Sequence, residues 1–205
     1  LGVINCLTVG RDEVVSVGTA MCHSPLLRKI SFTGSTKVGK WLMREAASTV
    51  KKVSMELGGN APFIVFDDAD LEVAARALMA AKFRNAGQVC IASNRVLVQS
   101  GVYEEFAAML TRRVNNLKVG SGLQADSTLG PLINAQALEK VSRHVEDCVS
   151  KGASLTTGGS VCTDLNEGGG TFYAPTVLTG VSKHMLPFCE ETFGPVCPLM
   201  SFETE

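Results

Sequence analysis

The sequence lacks the features by which several broad classes of protein are recognised. Its seven cysteines form no C-x-x-C pair, so neither a zinc site nor a disulfide framework is expected, and a reducing compartment is favoured. No apolar run approaches the length that crosses a bilayer. The N-terminal residues also lack the basic and apolar regions of a signal peptide. We therefore expect no metal ion and no membrane partner.

The chain also lacks an excess of positive charge. It has 19 Lys and Arg against 20 Asp and Glu, a formal net charge of −1. This balance argues against nucleic acid held by bulk electrostatics, although it allows a local basic pocket. Hydrophobic residues make up 45% of the 205 positions, which is enough apolar material for a buried core.

Short β-rich runs alternate with helical patterns, which predicts an α/β fold of parallel sheets with flanking helices. Residues 158–171 read as an exposed loop, and the pair Gly58-Gly59 is the candidate domain boundary. The predicted strands are 29–33, 50–57, 63–66, 95–99, 154–157, 175–178 and 196–202, and the predicted helices are 36–48, 71–85, 103–117 and 135–151.

A glycine turn joins the first predicted strand to the first predicted helix. In the segment from Phe32 to Gly39, Gly34 and Ser35 lie at the helix start, where free backbone N–H groups and the helix dipole can bind phosphate. An ordinary Ser-capped βα turn has the same pattern and is the preferred interpretation of this turn alone.

Residues 34–40 also fit the beginning of a P-loop, G-x-x-x-x-G-K. The next residue is Trp41, where a P-loop needs Ser or Thr to hold magnesium. The three glycines of the G-x-G-x-x-G fingerprint are absent as well. A phosphate-binding P-loop module is therefore a minor alternative.

Three further segments carry chemistry-bearing residues. Met55-Glu-Leu-Gly-Gly59 ends a predicted strand, Phe83-Arg-Asn-Ala-Gly-Gln-Val-Cys90 ends a predicted helix, and Glu190-Glu-Thr-Phe-Gly-Pro195 lies in a late turn. Together with Phe-Thr-Gly-Ser at residues 32–35, they resemble the NAD(P)-dependent aldehyde dehydrogenases in order and spacing. The resemblance runs along essentially the whole chain.

The resemblance implies a cysteine-based oxidation. Cys90 would be the thiolate nucleophile, and Glu56 would be the general base that activates water to hydrolyse the resulting thioester. A carboxylate at a strand end beside paired glycines could be partly desolvated, which would make it a better base. The alternatives are a buried inert thiol for Cys90 and a surface carboxylate for Glu56. No histidine lies near Cys90 in sequence, so nothing supports a Cys–His protease dyad.

NAD or NADP is the cofactor that the resemblance implies. Gly34 and Ser35 would lie at the pyrophosphate, and Thr33 would lie near the nicotinamide. Glu191 and Phe193 would hold the nicotinamide ribose, although an acidic loop with a core-anchoring aromatic has the same pattern. The full set of expected cofactor residues is Thr33, Gly34, Ser35, Gly39, Leu57 (through its carbonyl), Glu191 and Phe193.

Within the family, residues 56–70 and 81–88 resemble most the succinate-semialdehyde dehydrogenases. By that resemblance Arg84 would bind the distal carboxylate of the substrate, as a guanidinium fork can. Taken alone, an arginine at a helix end facing water is the commoner case. Many members carry a second cysteine two residues after the nucleophile. This position is Ala92 here, so a disulfide with Cys90 at that spacing is excluded.

These residues predict oxidation of succinate semialdehyde to succinate. Another aldehyde, either glutarate semialdehyde or an uncharged one, is the alternative within the family, and a catalytically silent structural relative is an alternative outside it. Residues 1–57 are predicted to be the C-terminal half of a Rossmann-like cofactor domain, and residues 58–205 an incomplete catalytic domain.

The chain is expected to be a fragment that lacks both ends of the parent protein and is nearly inactive alone. The parent enzyme is expected to be a homo-oligomer of the cytoplasm or the mitochondrial matrix.

Overall fold

The structure is a computed structural model that describes residues 2–167 and 169–204. Its backbone contacts divide the chain into two compact units, Leu1–Gly58 and Gly59–Glu205. Gly168, in the predicted loop at 158–171, lies outside the described residues. So do Leu1, the first residue of the predicted cofactor domain, and Glu205, the last residue of the predicted catalytic domain. The assignment of the two units to a cofactor domain and a catalytic domain stays a prediction.

The first unit is a small α/β layer. Its elements are α1 (Val14–His23), β1 (Lys29–Thr33), α2 (Thr36–Ala47) and β2 (Lys52–Glu56). The two strands are parallel, and Thr33 is the partner of Glu56 at their carboxyl ends. A small cluster of buried residues holds the helices to the sheet: Cys22, Ile30, Leu42 and Ala46.

The second unit is built on a five-stranded sheet in the order β3-β4-β7-β6-β5. The strands are β3 (Ala61–Val65), β4 (Ser93–Gln99), β5 (Ser154–Thr157), β6 (Thr176–Thr179) and β7 (Val196–Phe202). Neighbouring strands are parallel except β5 and β6, which are antiparallel. At the β3 edge, the register with β4 shifts between Ala61 and Pro62.

Helices pack on this sheet because their apolar faces match its buried side chains. They are α3 (Leu71–Phe83), α4 (Tyr103–Val114), α5 (Ala135–Ser150), and the one-turn helices α6 (Thr163–Asn166) and α7 (Leu186–Cys189). Asp70 caps α3 by accepting from the Val73 N–H, and Asn134 caps α5 by accepting from the Ala137 N–H. The large core includes Leu78, Val98, Phe106, Leu110, Val145, Leu178 and Leu199.

The predicted α/β fold of mainly parallel sheets with flanking helices is confirmed, and β1, β5 and β7 have the predicted bounds. Several details were wrong, among them the end of α4 at Val114 rather than at Leu117. Strand β5 is antiparallel to β6, helix α3 ends at Phe83 rather than near Asn85, and the expected loop at 158–171 contains α6. Helix α1 was not predicted, because its run Val-Val-Ser-Val-Gly is poor in helix-forming residues.

Within residues 2–167 and 169–204, no helix is both long and apolar enough to cross a membrane. In the same residues, no cluster of three or more His, Cys, Asp or Glu side chains is placed to bind a metal ion.

Candidate active site

The predicted pyrophosphate turn lies at the carboxyl end of β1. Ser35 caps α2, because its hydroxyl accepts a hydrogen bond from the Val38 N–H at 3.3 Å. The Gly34 N–H donates to the carbonyl of Glu56 at 3.0 Å, which joins the turn to the end of β2. Gly34, Ser35 and Thr33 are all exposed. This exposed helix start has the geometry of an anion site.

A side chain at either of two glycines around this turn would displace the end of a neighbouring side chain. A Cβ on Gly34 would lie 2.4 Å from the Phe32 ring, and one on Gly39 would lie 2.5 Å from the Leu57 side chain. Gly39 is buried, so the structure places it in a packing contact with Leu57. Both residues were expected to belong to the cofactor site.

Glu56 is the last residue of β2, and its side chain is exposed. The partial desolvation expected for this carboxylate is therefore not present in this structure. Its position at the strand end, beside Thr33, agrees with the expected location at the edge of the sheet.

The predicted nucleophile lies in a turn that contains left-handed backbone, residues 84–90, which we call the nucleophile turn. Asn85 and Ala86 have φ values of 52° and 54°, and Gly87 has a φ of 73°. Helix α3 stops at Phe83 because Arg84 already has a non-helical ψ of 133°, and the left-handed backbone that follows cannot continue a right-handed helix. Non-glycine residues in this conformation are strained and persist only where their surroundings hold them. Arg84 and Cys90 are both exposed, at the two ends of the turn.

The Gln88 side chain ties the nucleophile turn to a distant segment of the second unit. Its amide nitrogen donates to the carbonyls of Asn85 and Pro131, each at 3.2 Å, and its amide oxygen accepts from the Ile133 N–H at 2.8 Å. The Asn85 side chain returns a bond to the Gln88 carbonyl at 3.2 Å. The side chain that precedes Cys90 by two positions therefore fixes the shape of the turn.

The predicted ribose-binding segment lies beside the same turn. A Cβ on Gly87 would be 2.1 Å from the Gly194 carbonyl oxygen, so the two backbones are in direct contact. The Glu191 carboxylate accepts from the Gly59 N–H at 3.3 Å, and the Gly59 Cβ position is 3.4 Å from the Cys90 carbonyl oxygen. Glu191 and Cys90, distant in sequence, are thus brought into one neighbourhood.

Phe193 contributes to a cleft of about 480 Å³ next to this turn. The residues that line the cleft are Asn85, Gln88, Pro131, Leu132, Ile133 and Phe193. The aromatic ring therefore faces residues of the nucleophile turn, and the alternative of a core-anchoring aromatic does not describe it, since 37% of Phe193 is exposed. Its predicted place beside the nicotinamide ribose stays a prediction.

The sequence analysis missed a buried polar network behind these residues. Lys82 is fully buried, and its ammonium donates to Asn94 Oδ1 at 2.8 Å and to the Thr192 carbonyl at 3.3 Å. The Thr192 hydroxyl is 2.8 Å from His144 Nδ1, and His144 Nε2 is 3.4 Å from a Glu190 carboxylate oxygen. No periodicity indicated this network, because lysine and histidine inside a helical pattern are usually read as solvent-facing.

Burial shifts the ionisation of both basic groups in the network. Desolvation lowers the pKa of Lys82 to about 8, and the nearby Cys197 and Glu191 only partly oppose this effect. Desolvation and the positive charge of Lys140 lower the pKa of His144, against the raising effect of Glu190. Both shifts follow from taking a cationic group out of water.

Comparison with known proteins identifies the family. The profile of the aldehyde dehydrogenase family matches residues 1–205. The chain belongs to the aldehyde dehydrogenase family. The predicted family is thereby confirmed, and the predicted roles of the site residues stay predictions.

Individual aldehyde dehydrogenases are about half identical to the chain. A probable succinate-semialdehyde dehydrogenase [NADP(+)] of Sinorhizobium fredii is 50% identical over 98% of the chain and 40% of its own length. The mitochondrial succinate-semialdehyde dehydrogenase of Rattus norvegicus is 49% identical over 100% and 38%, respectively. A 3-sulfolactaldehyde dehydrogenase of Pseudomonas putida is 50% identical over 100% and 40%.

A solved structure gives the same result for the fold. The succinate-semialdehyde dehydrogenase of Burkholderia pseudomallei superimposes with a TM-score of 0.91 at 50% identity, over 96% of the chain and 40% of that protein. The chain thus spans about two fifths of the length of these aldehyde dehydrogenases.

Proposed function

We propose that this chain acts within a longer parent enzyme that oxidises succinate semialdehyde to succinate with NAD or NADP. The observation that carries the proposal is the nucleophile turn, which has an exposed thiol at one end and an exposed guanidinium at the other. The names of the similar proteins from Sinorhizobium fredii and Rattus norvegicus support the same substrate.

The proposed reaction begins at Cys90. Its thiolate adds to the aldehyde carbon and forms a thiohemiacetal, and loss of hydride from that carbon leaves a thioester on the same sulfur. Water then adds to the thioester, the carbon–sulfur bond breaks, and succinate leaves with the thiolate restored. NAD or NADP, when bound, supplies the nicotinamide ring that accepts the hydride.

Each unit, taken by itself, contains residues that fit a part of a dinucleotide. Ser35 and the exposed N–H groups at the start of α2 have the chemistry to bind a pyrophosphate, and Gly34 leaves the approach to them open. In the second unit, the Glu191 carboxylate and the Phe193 ring are proposed to bind the nicotinamide ribose. In the first unit, Thr33 and the Leu57 carbonyl are proposed as contacts of the nicotinamide. Gly39 supports the site indirectly, since it packs on Leu57.

Glu56 is proposed as the base that takes a proton from the attacking water. Its carboxylate lies exposed at a strand end, and the reaction needs a proton acceptor only after hydride has left. This order of events makes its role separable from that of Cys90.

Arg84 is proposed to select an aldehyde with an anionic tail. Its guanidinium is exposed on the nucleophile turn, and it can form paired hydrogen bonds with a carboxylate. The equal identity of the Pseudomonas putida relative, named for a sulfo-substituted aldehyde, favours an anionic substrate in general. Glutarate semialdehyde and 3-sulfolactaldehyde are therefore the alternatives to succinate semialdehyde, and an uncharged aldehyde is a weaker one.

The deciding experiment replaces Arg84 with alanine in the parent enzyme. We expect kcat/KM for succinate semialdehyde to fall on the order of a hundredfold, because a charge-assisted pair is lost. The value for butanal should change less than about threefold. Arg76→Ala, which removes an exposed arginine from α3, is the matched control. Equal losses for both aldehydes would move the assignment to an uncharged substrate.

A second experiment separates the proposed roles of Cys90 and Glu56. Iodoacetamide should label Cys90 before Cys189, which is also exposed, and Cys90→Ser should abolish reduction of the nucleotide. Glu56→Gln should still give one equivalent of reduced nucleotide, followed by turnover slowed on the order of a hundredfold. Glu13→Gln is the control in the same unit. Absence of the burst in Glu56→Gln would contradict the role in hydrolysis.

The family assignment favours this enzyme over the P-loop-like phosphate module, and turnover in the parent enzyme would exclude the silent structural relative. Homo-oligomer formation, residence in the cytoplasm or mitochondrial matrix, and near inactivity of the isolated chain remain predictions.

A further inference from the structure

Lys82 is a fully buried cation in the last turn of α3, only two residues before Arg84. Lysine is rarely buried completely, because removing an ammonium from water is costly unless it is well paired. Its pKa is lowered to about 8, mainly through desolvation. Packing alone does not explain why a charge that is costly to desolvate lies next to the nucleophile turn.

The contacts of Lys82 lead to the proposed ribose-binding segment. Its ammonium donates to Asn94 Oδ1 on β4 at 2.8 Å and to the carbonyl of Thr192 at 3.3 Å. Thr192 lies between Glu191 and Phe193, the two residues proposed to hold the nicotinamide ribose. The ammonium therefore forms a hydrogen bond with the backbone of the residue that lies between them.

Two further groups act on the same point. On the side of α5, His144 Nδ1 is 2.8 Å from the Thr192 hydroxyl, so Thr192 is held through both its backbone and its side chain. The charged or titratable groups that act on Lys82 are Cys197 on β7 and Glu191 itself. The Glu191 carboxylate therefore acts on Lys82 through its charge, although neither hydrogen-bond acceptor of Lys82 is a carboxylate.

We propose that Lys82 is a positioning residue that fixes the segment 191–193 against the end of α3 and so sets the geometry in which Glu191 and Phe193 receive the nucleotide. This inference rests on the proposed function, since it assumes that those two residues contact the cofactor. The ammonium touches neither substrate nor nucleotide and acts through the Thr192 carbonyl.

A merely structural role for Lys82 makes a different prediction. If Lys82 only satisfies Asn94 in the core, replacing both residues by apolar side chains of similar size should restore stability and nucleotide affinity together. Removal of both partners of a buried hydrogen bond is often nearly neutral, whereas removal of one is costly. The double replacement leaves the Thr192 carbonyl without its ammonium, which is the contact under test.

The experiment compares Lys82→Met, Asn94→Leu and the double variant in the parent enzyme, with Lys118→Met as the matched control at an exposed lysine. Tm reports stability. The Kd for NADH or NADPH, whichever the unaltered enzyme binds more tightly, is measured from nucleotide fluorescence. We expect Lys82→Met to lower Tm and to raise the Kd about tenfold, the effect of losing one charge-assisted contact. In the double variant Tm should recover while the Kd stays raised.

Recovery of the Kd together with Tm in the double variant would overturn the proposal, and so would an unchanged Kd in a folded Lys82→Met enzyme. Failure of every neutral variant to fold, Lys82→Gln included, would assign Lys82 to folding and overturn it as well. If the unaltered enzyme binds neither nucleotide, the proposed function itself fails, which is a distinguishable result.

Discussion

The two turns that carry the candidate site are held in opposite ways. At the Gly34 turn the stabilising contacts are local or cross a single pair of strands, as when Ser35 caps Val38 and Gly34 bonds to Glu56. At the nucleophile turn the contacts reach residues far along the chain, including Ile133 and Gly194. The Gly34 turn therefore depends mainly on its own sequence and the neighbouring strand. The nucleophile turn depends in addition on residues elsewhere in the second unit.

The hydrophobic cores of the two units differ in size. The first unit buries a small cluster and leaves large apolar side chains such as Ile4, Leu26 and Val50 exposed. The second unit surrounds its sheet with a continuous core. Left-handed non-glycine backbone occurs in both units, at exposed Val50 in the first and at Asn85 and Ala86 in the second. Of these three residues, only Ala86 belongs to a buried core.

Gly87→Ala tests whether distant contacts hold the nucleophile turn, and it is expected to have the largest effect on stability. The added methyl group would meet the Gly194 carbonyl at 2.1 Å on a backbone with φ of +73°, so we expect a loss of about 3 kcal/mol or more in the free energy of unfolding. Gly180→Ala is the matched control, because Gly180 has φ of +67° and open space around its Cβ position. It should cost about 1 kcal/mol. Equal costs in urea denaturation would show that the nucleophile turn is not held by distant contacts.

The buried ammonium of Lys82 offers a second test, through pH. Its pKa is lowered from 10.5 to about 8 in the folded chain, so between these values the unfolded chain binds more protons. The cost of burying the charge is fully present below pH 8 and is lost as the pH rises. We expect the free energy of unfolding to gain about 2 kcal/mol from this group between pH 8 and 10.

Lys82→Met should remove that gain, which is measured as the difference between the two proteins in urea denaturation at each pH. Lys118→Met, at an exposed site, should leave the pH dependence as it is. A constant difference between wild type and Lys82→Met across this range would refute the assignment of a buried, charged Lys82.

The smallest expected effect concerns the local turn. Ser35→Ala removes one helix cap and should cost about 1 kcal/mol in stability, and so should Asn134→Ala, which removes the cap of α5. Only Ser35→Ala should also weaken nucleotide binding by the parent enzyme, by roughly fivefold. If both variants bind nucleotide equally well, the Gly34 turn is an ordinary cap and no pyrophosphate site.

The sequence alone predicts well what short-range patterns determine. The bounds of β1 follow from alternating apolar residues, and those of β7 follow from a continuous apolar run. The start of α2 follows from the capping chemistry of Ser35. The family follows from four motifs in order. Each of these signals lies within about ten consecutive residues, where propensity and periodicity operate.

What could not be predicted depends on contacts between distant residues. Asn85 and Gly87 are residue types that adopt left-handed backbone, but Ala86 between them is not. The contacts of Gln88 with Pro131 and Ile133, which no local pattern indicates, help to hold this turn. Lys82 resembles a surface lysine until Asn94 and Thr192 enclose it. The antiparallel direction of β5 depends on its pairing with β6, which no local pattern encodes. The proposed roles of Cys90, Glu56 and Arg84 await the experiments described above.

The outer strand β3 has a consequence for solubility. An unpaired edge in a sheet is a template on which another chain can add a strand and begin to aggregate. In β3, Pro62 lacks a backbone N–H, and the register with β4 shifts at that residue. The edge is therefore interrupted near its beginning, and a regular ladder with a second molecule cannot extend along its whole length.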